Sequence, residues 1–194
     1  DGYEIGAKLV AHPDIKAVGF TGSEKGGRAL MDICSQRKEP IPVYAEMGSV
    51  NPVLLFPHKL KREGEALAKT LANSITLGVG QFCTNPGLMI GMKGNELQQF
   101  KREIVDQLKG AVSATMLNEK ICQYYLTERE EMREELGVRV LLDQNKGGNE
   151  VLPAILTVAA SDFLANSNLH REVFGPFSIL VECADSAEME AVLD

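Results

Sequence analysis

Short apolar runs alternate along this chain with longer segments whose apolar residues recur every three or four positions. Ile15 to Thr21, Ile41 to Ala45, Pro52 to Phe56, Leu88 to Met92, Val138 to Leu142, Ala154 to Val158 and Phe177 to Val181 read as strands. Most are apolar throughout, as in strands buried on both faces of a parallel sheet. Between them, Gly26 to Cys34 and Arg62 to Leu77 carry helical spacing. Leu97, Phe100, Ile104 and Leu108 do the same behind Asn95, a residue able to cap a helix. Thr127-Glu-Arg-Glu has the form of a capping box opening a charged helix toward Leu136. Strand and helix alternate almost throughout, so the expected class is α/β, with a parallel sheet wound on both faces.

The same pattern reaches both ends. Tyr3, Ile5, Leu9 and Val10 read as the apolar face of a helix stopped by His12-Pro13, and Ser186 to Asp194 as a helix just begun. Both ends thus read as cut inside helices, and the chain is expected to be a fragment of a longer protein. Gln144 to Glu150 is a polar, Gly-rich turn and Phe174-Gly-Pro a tight bend.

The 194 residues suffice for one sizeable domain, or for a domain and part of another. The formal net charge of -7 is spread without a basic or acidic block, which argues against nucleic acid and anionic membranes as partners. No apolar stretch approaches the ~20 residues that span a bilayer. Four cysteines without paired spacing predict a reducing compartment, read as cytoplasmic. Neither HExxH nor Cys-x-x-Cys occurs, and His12, His58 and His170 are scattered, so no metal site is expected.

Four short segments carry candidate chemistry. Gln81-Phe-Cys-Thr-Asn-Pro-Gly puts Cys83 in a glycine-flanked turn, where a thiol can meet a substrate instead of filling a core. A free thiol ionises near ~8.5, so a nucleophilic cysteine needs a neighbour that makes thiolate available. Cys34, Cys122 and Cys183 lie in apolar surroundings and read as core residues. Glu46, delivered by an apolar run to the turn Met47-Gly-Ser, is a candidate general base. Phe20-Thr-Gly-Ser-Glu-Lys-Gly-Gly-Arg hands a strand to a helix, whose free N–H groups favour a phosphate. Arg28-Ala29 stands where a Walker A loop needs Lys-Ser/Thr, which excludes a P-loop nucleotidase. The alternative there is a capped turn in which Ser23 satisfies helix N–H groups. Glu172, ahead of Phe174-Gly-Pro, could be held at a pocket edge or be an ordinary solvated acid.

In order, Phe20-Thr-Gly-Ser-x-x-x-Gly27, Glu46-Met-Gly-Ser-Val-Asn-Pro, Gly80-Gln-Phe-Cys83 and Glu172-Val-Phe-Gly-Pro resemble the aldehyde dehydrogenase superfamily over essentially the whole chain. The variants Glu46-Met-Gly-Ser and Cys83-Thr-Asn-Pro-Gly are most similar to its branch of NADP-using ketoglutarate-semialdehyde and fatty-aldehyde dehydrogenases. The resemblance implies that residues 1–48 finish a nucleotide-binding domain and that residues 49–194 form a catalytic domain truncated at its C-terminus. It implies NADP or NAD as cofactor, a small-molecule aldehyde as substrate, and a homo-oligomer for the full-length protein. Cys83 would form a thiohemiacetal and then a thioester, and Glu46 would activate the hydrolytic water. Gly22, Ser23 and Gly27 would lie along the cofactor phosphates, Met47 beside the nicotinamide, Glu172 at its ribose, and Phe174 nearby. The fragment alone is expected to have little or no activity. A cysteine acyl-transferase or thioesterase without nucleotide, and a non-catalytic fragment, are the rival readings. Gly48-Ser-Val, where many members have Gly-Gly-Lys, leaves the pocket shape and hence the aldehyde open.

Overall fold

The computed structural model describes residues 2–144 and 146–194. It divides into two compact units, Asp1–Gly48 and Ser49–Asp194.

In the first unit, helix α1 (Gly2–Ala11) leads to strand β1 (Val18–Gly22), helix α2 (Glu24–Ser35) and strand β2 (Val43–Met47). β1 and β2 pair in parallel, with Val18 opposite Val43 and Gly22 opposite Met47. Val10, Val18 and Cys34 are buried together, with Ile15, Leu30, Ile33, Ile41 and Val43 packed around them. Arg37 Nη1 donates to the Val10 carbonyl at 2.9 Å, fastening the end of α2 region to α1. Of Tyr3, Ile5, Leu9 and Val10, read from the sequence as the apolar face of α1, Val10 is buried and the other three are exposed.

The second unit runs β3 (Pro52–Leu55), α3 (Pro57–Thr76), β4 (Leu88–Met92), α4 (Asn95–Lys109), β5 (Ala114–Thr115), α5 (Glu119–Glu134), β6 (Arg139–Asp143), β7 (Glu150–Val151), β8 (Ala154–Ala159), α6 (Ala160–Ala165), β9 (Phe177–Cys183) and α7 (Ser186–Leu193). A five-stranded sheet has the order β3-β4-β9-β8-β6, and β5 and β7 form a separate antiparallel pair. The class is α/β, as expected, and β3, β4, β9 and β8 are mutually parallel. The edge strand β6 departs from the all-parallel expectation by running antiparallel to β8, with a register shift between Val140 and Leu142. A two-sided sheet commonly accepts one antiparallel edge strand.

Pleating sends successive side chains of the central strands to opposite faces. Leu88 and Ile90 of β4, Leu156 and Val158 of β8, and Ile179 and Val181 of β9 join one core with residues of α5, α6 and α7. Met89, Ile155 and Leu180 face the other way, into a core with α3 and α4. Helices therefore cover both faces, which is why these strands carry no polar alternation.

Three helix starts differ from the sequence reading. α3 begins at Pro57, with proline in its first turn and a break in helical geometry at Glu63. α4 is preceded by Gly94, and Asn95 makes no side-chain cap. α5 begins well before Thr127, where Asn118 Oδ1 accepts from Ile121 N at 2.9 Å. Its apolar face was hidden because Arg129 occupies a core-facing position. Arg129 is buried against Asp143 at 3.2 Å and lies 5.6 Å from the Tyr125 ring centroid.

Candidate active site

Cys83 owes its position to an unusual reversal of the chain. After α3, Gly78, Val79 and Gly80 take φ values of 54°, 61° and 65° in succession. Glycine tolerates that region; a β-branched residue is an outlier there. Gly78 leaves room for the Phe82 ring, and a Cβ on Gly80 would collide with the backbone of Gly175 and Pro176. The chain can only pass that close to the Gly175–Pro176 bend without a side chain. Gln81 braces the turn by donating from Nε2 to the Gly78 carbonyl at 3.2 Å and accepting from Leu117 N at 3.0 Å. Asn51, with φ 45°, donates from Nδ2 to the Cys83 carbonyl.

Cys83 is exposed, whereas Cys34, Cys122 and Cys183 are buried. Burial pushes the Cys122 thiol up, and the Cys183 thiol to about 11. Those two thiols are poor sources of thiolate near neutrality, in keeping with the core role read from their surroundings.

The turn borders a cleft lined by Ser49, Val50, Gly80, Phe82, Asn85, Glu172 and Phe174, among others. Glu172 is about half buried, and this burial raises its carboxyl, partly offset by a hydrogen bond from the Ser49 backbone N–H. Phe174 is 39 % exposed. The segment before Glu172 is tied to α5: Arg171 Nη1 lies 3.0 Å from both Glu128 and Glu131, and Glu135 accepts from Asn166 at 2.7 Å and Asn168 at 2.9 Å. Cys83, Glu172 and Phe174 thus lie in segments that meet at one cleft, the last two lining it. A raised folded-state pKa means that Glu172 opposes folding once it ionises, so stability is lost as pH rises through that value. Glu172→Gln, which keeps an acceptor for the Ser49 N–H, should melt higher than the wild type at neutral pH. The difference should close as pH falls below the ordinary glutamate range of about 4.3. Thermal melts across pH test this, and a constant difference would contradict it.

The remaining predicted residues belong to the first unit. Ser23 caps α2, its Oγ accepting from Gly26 N at 3.2 Å, so its hydroxyl has the capping role that the sequence left open. A Cβ at Gly22 would come within 2.7 Å of the Phe20 ring, and one at Gly27 would overlap Met47. The two glycines therefore let the Phe20 ring and Met47 pack close to the backbone at the start of the helix. Glu46, near the end of β2, is exposed and lines an open concavity with Gly19, Phe20, Thr21, Tyr44 and Ala45.

Sequence reasoning passed over Asn51 and Asn85. Each precedes a proline, and Asn-Pro favours turn initiation, so the paired doublets were an available signal. It also missed Glu182, because an acid ending an apolar strand reveals nothing of its partners. Glu182 is 3 % exposed and faces Lys101 at 2.8 Å, Arg139 at 2.7 Å and Thr157 at 3.0 Å. Burial alone would raise its carboxyl, but the Lys101 hydrogen bond and charge, with Thr157 and Arg139, more than offset this and hold it below the usual range.

Comparison with known proteins matches residues 1–193 to the aldehyde dehydrogenase family. The chain belongs to that family. Among curated relatives of this aldehyde dehydrogenase chain is alpha-ketoglutaric semialdehyde dehydrogenase 2 of Azospirillum brasilense, 44 % identical over 200 residues and covering 100 % of the chain. Alpha-ketoglutaric semialdehyde dehydrogenase of Acinetobacter baylyi is 38 % identical and covers 97 %. The chain spans 37 % and 36 % of the lengths of these two relatives. A solved NAD-dependent benzaldehyde dehydrogenase of Corynebacterium glutamicum superposes with a TM-score of 0.81, covering 99 % of this chain and 42 % of that one. At 21 % identity, that match establishes the fold alone.

Proposed function

We propose that this chain carries the nucleophile and base of an NAD(P)-dependent aldehyde oxidation, with an oxo-acid semialdehyde or an aliphatic aldehyde as substrate. The observation that carries the reading is the Cys83 turn. It presents the exposed thiol of the chain beside a cleft edged by a half-buried carboxylate and an aromatic ring, in a chain of this family. The substrate class rests on the semialdehyde dehydrogenases among the relatives.

The residues fit a dinucleotide in two respects. The start of α2 is a capped helix N-terminus approached over Gly22, Gly26 and Gly27, suited to phosphate oxygens. The cleft offers Glu172 as a hydroxyl acceptor and Phe174 as an apolar wall. In this reading Gly22, Ser23 and Gly27 lie along the phosphates, Met47 beside the nicotinamide, and Glu172 at the ribose hydroxyls with Phe174 nearby. The bound nicotinamide supplies the hydride acceptor.

Cys83 thiolate adds to the aldehyde carbon, forming a C–S bond while the carbonyl electron pair moves to oxygen. The Cys83 backbone N–H is a donor for that oxyanion. Once the carbon has been oxidised to the thioester level, Glu46 takes a proton from water as its oxygen attacks the carbonyl. The C–S bond then breaks, returning Cys83 as thiolate and releasing the acid. Residues 1–48 serve as the end of a nucleotide-binding domain and residues 49–194 as the catalytic part.

Alkylation of the cysteines by iodoacetamide, followed by mass spectrometry with and without NADP or NAD, tests the reading. Cys83 should be labelled far ahead of the other three, at a rate that nucleotide alters. Equal labelling of all four cysteines, or a Cys83 rate that matches the unfolded chain and ignores both nucleotides, would overturn it.

A further inference from the structure

One buried side chain joins the Cys83 turn to the segment that bears Glu172 and Phe174. Asn85 is 9 % exposed, and its Nδ2 donates to the Phe177 carbonyl at 3.1 Å and the Gly175 carbonyl at 3.4 Å. Its backbone N–H donates to the Phe82 carbonyl at 3.0 Å, closing the turn around Cys83. Its own carbonyl accepts from Asn51 Nδ2 at 3.4 Å, and the same Nδ2 reaches the Cys83 carbonyl. The residue lines the cleft together with Glu172 and Phe174, while Oδ1 is buried and unpartnered among the described residues.

A primary amide with both N–H groups on two carbonyls cannot be replaced by an apolar side chain, a hydroxyl or a carboxylate without orphaning at least one of them.

We propose that Asn85 is a positioning residue, holding the Cys83 turn in register with the Glu172–Phe174 segment. This rests on the reading of Cys83 as nucleophile and of Glu172 and Phe174 as cofactor contacts.

The test follows the reaction of Cys83 with 2,2′-dithiodipyridine, which reports thiol reactivity down to acidic pH, in the 194-residue chain and in the denaturant-unfolded chain. Asn85→Ala and Asn85→Asp should both bring Cys83 to within roughly threefold of the unfolded rate at about pH 8, the effect of losing the two hydrogen bonds that tie the turn to the Gly175 and Phe177 carbonyls. Near pH 5, Asn85→Asp should move back toward the wild type. A buried carboxyl beside two carbonyl oxygens takes up a proton above the ordinary aspartate range and can then donate to one of them. Asn85→Ala, with nothing to titrate, should not recover, and comparing the two variants cancels any contribution of Glu172 and Arg171, the charged neighbours in the cleft.

Asn51→Gly, which keeps the left-handed backbone and removes the amide, provides a second variant should Asn85 substitutions prevent folding, and it should show the same loss. Thr157→Val, removing a buried hydrogen bond to Leu180 on the same sheet, should lower the melting temperature and leave Cys83 unaffected. If wild-type Cys83 already reacts like the unfolded chain, the nucleophile reading falls and the proposal with it. If the wild type is distinct while folded Asn85 and Asn51 variants keep its rate, or recover alike at low pH, only the positioning role is overturned.

Discussion

Serine in place of Cys83 should lower aldehyde-dependent NADPH or NADH formation by about a thousandfold or more, because a hydroxyl without a dedicated base does not supply the nucleophile that the mechanism needs. The loss should fall on kcat. The assay is best run in a chimera in which residues 1–194 replace the matched stretch of the Azospirillum brasilense relative, since the chain spans 37 % of that protein. Glu46→Gln in the same background should lower turnover by about 10²–10⁴-fold. It should also let a thioester accumulate on Cys83, seen as the mass of one acyl group on the Cys83 peptide. A serine variant retaining a tenth of the activity would remove Cys83 from the chemistry. A glutamine variant that loses activity without trapping acyl-enzyme would place Glu46 before the thioester instead of after it.

Glu182→Leu should cost about 3–5 kcal/mol of folding stability, the largest loss we expect from one substitution outside the site. Lys101 is 7 % exposed and is an ion-pair partner of Glu182 at 2.8 Å, so removal of the acid strands its ammonium between α4 and β9. Lys101→Met with Glu182→Leu should recover much of the loss, since two apolar side chains fill the space without a buried charge. The coupling in such a double-mutant cycle, read from urea denaturation, measures the pair. The folded-state carboxyl of Glu182 lies below its ordinary range, so its contribution is present above about pH 4.3 and is lost as pH falls through the folded value. Wild type and Glu182→Leu should therefore converge in strong acid. A Glu182→Leu variant as stable as wild type at neutral pH would show that the charged cluster does not support the sheet.

Much of the site could be read from residue order because its chemistry depends on side-chain type within short turns. A cysteine between Gly80 and Gly87 stands out locally, and the glutamate ahead of Phe174-Gly-Pro was singled out with two readings open. Asn85 does not: its partners Gly175 and Phe177 lie 90 and 92 residues away, and nothing in the composition of its own turn announces them. The cap that Ser23 Oγ forms with Gly26 N became visible likewise only in the structure.

The sequence by itself determined that strands and helices alternate, that the central strands are buried on both faces, and that Cys83 stands apart from three core cysteines. Those properties follow from apolar periodicity and from glycine and proline, which constrain the chain over a few residues. Only the tertiary structure decided that β6 runs antiparallel, that α5 begins at Glu119 behind the Asn118 cap and buries Arg129, and that Lys101 and Arg139 converge on Glu182. Strand direction and charge pairing depend on which distant segments become neighbours, and hydrophobic pattern records that a face is buried without naming what covers it.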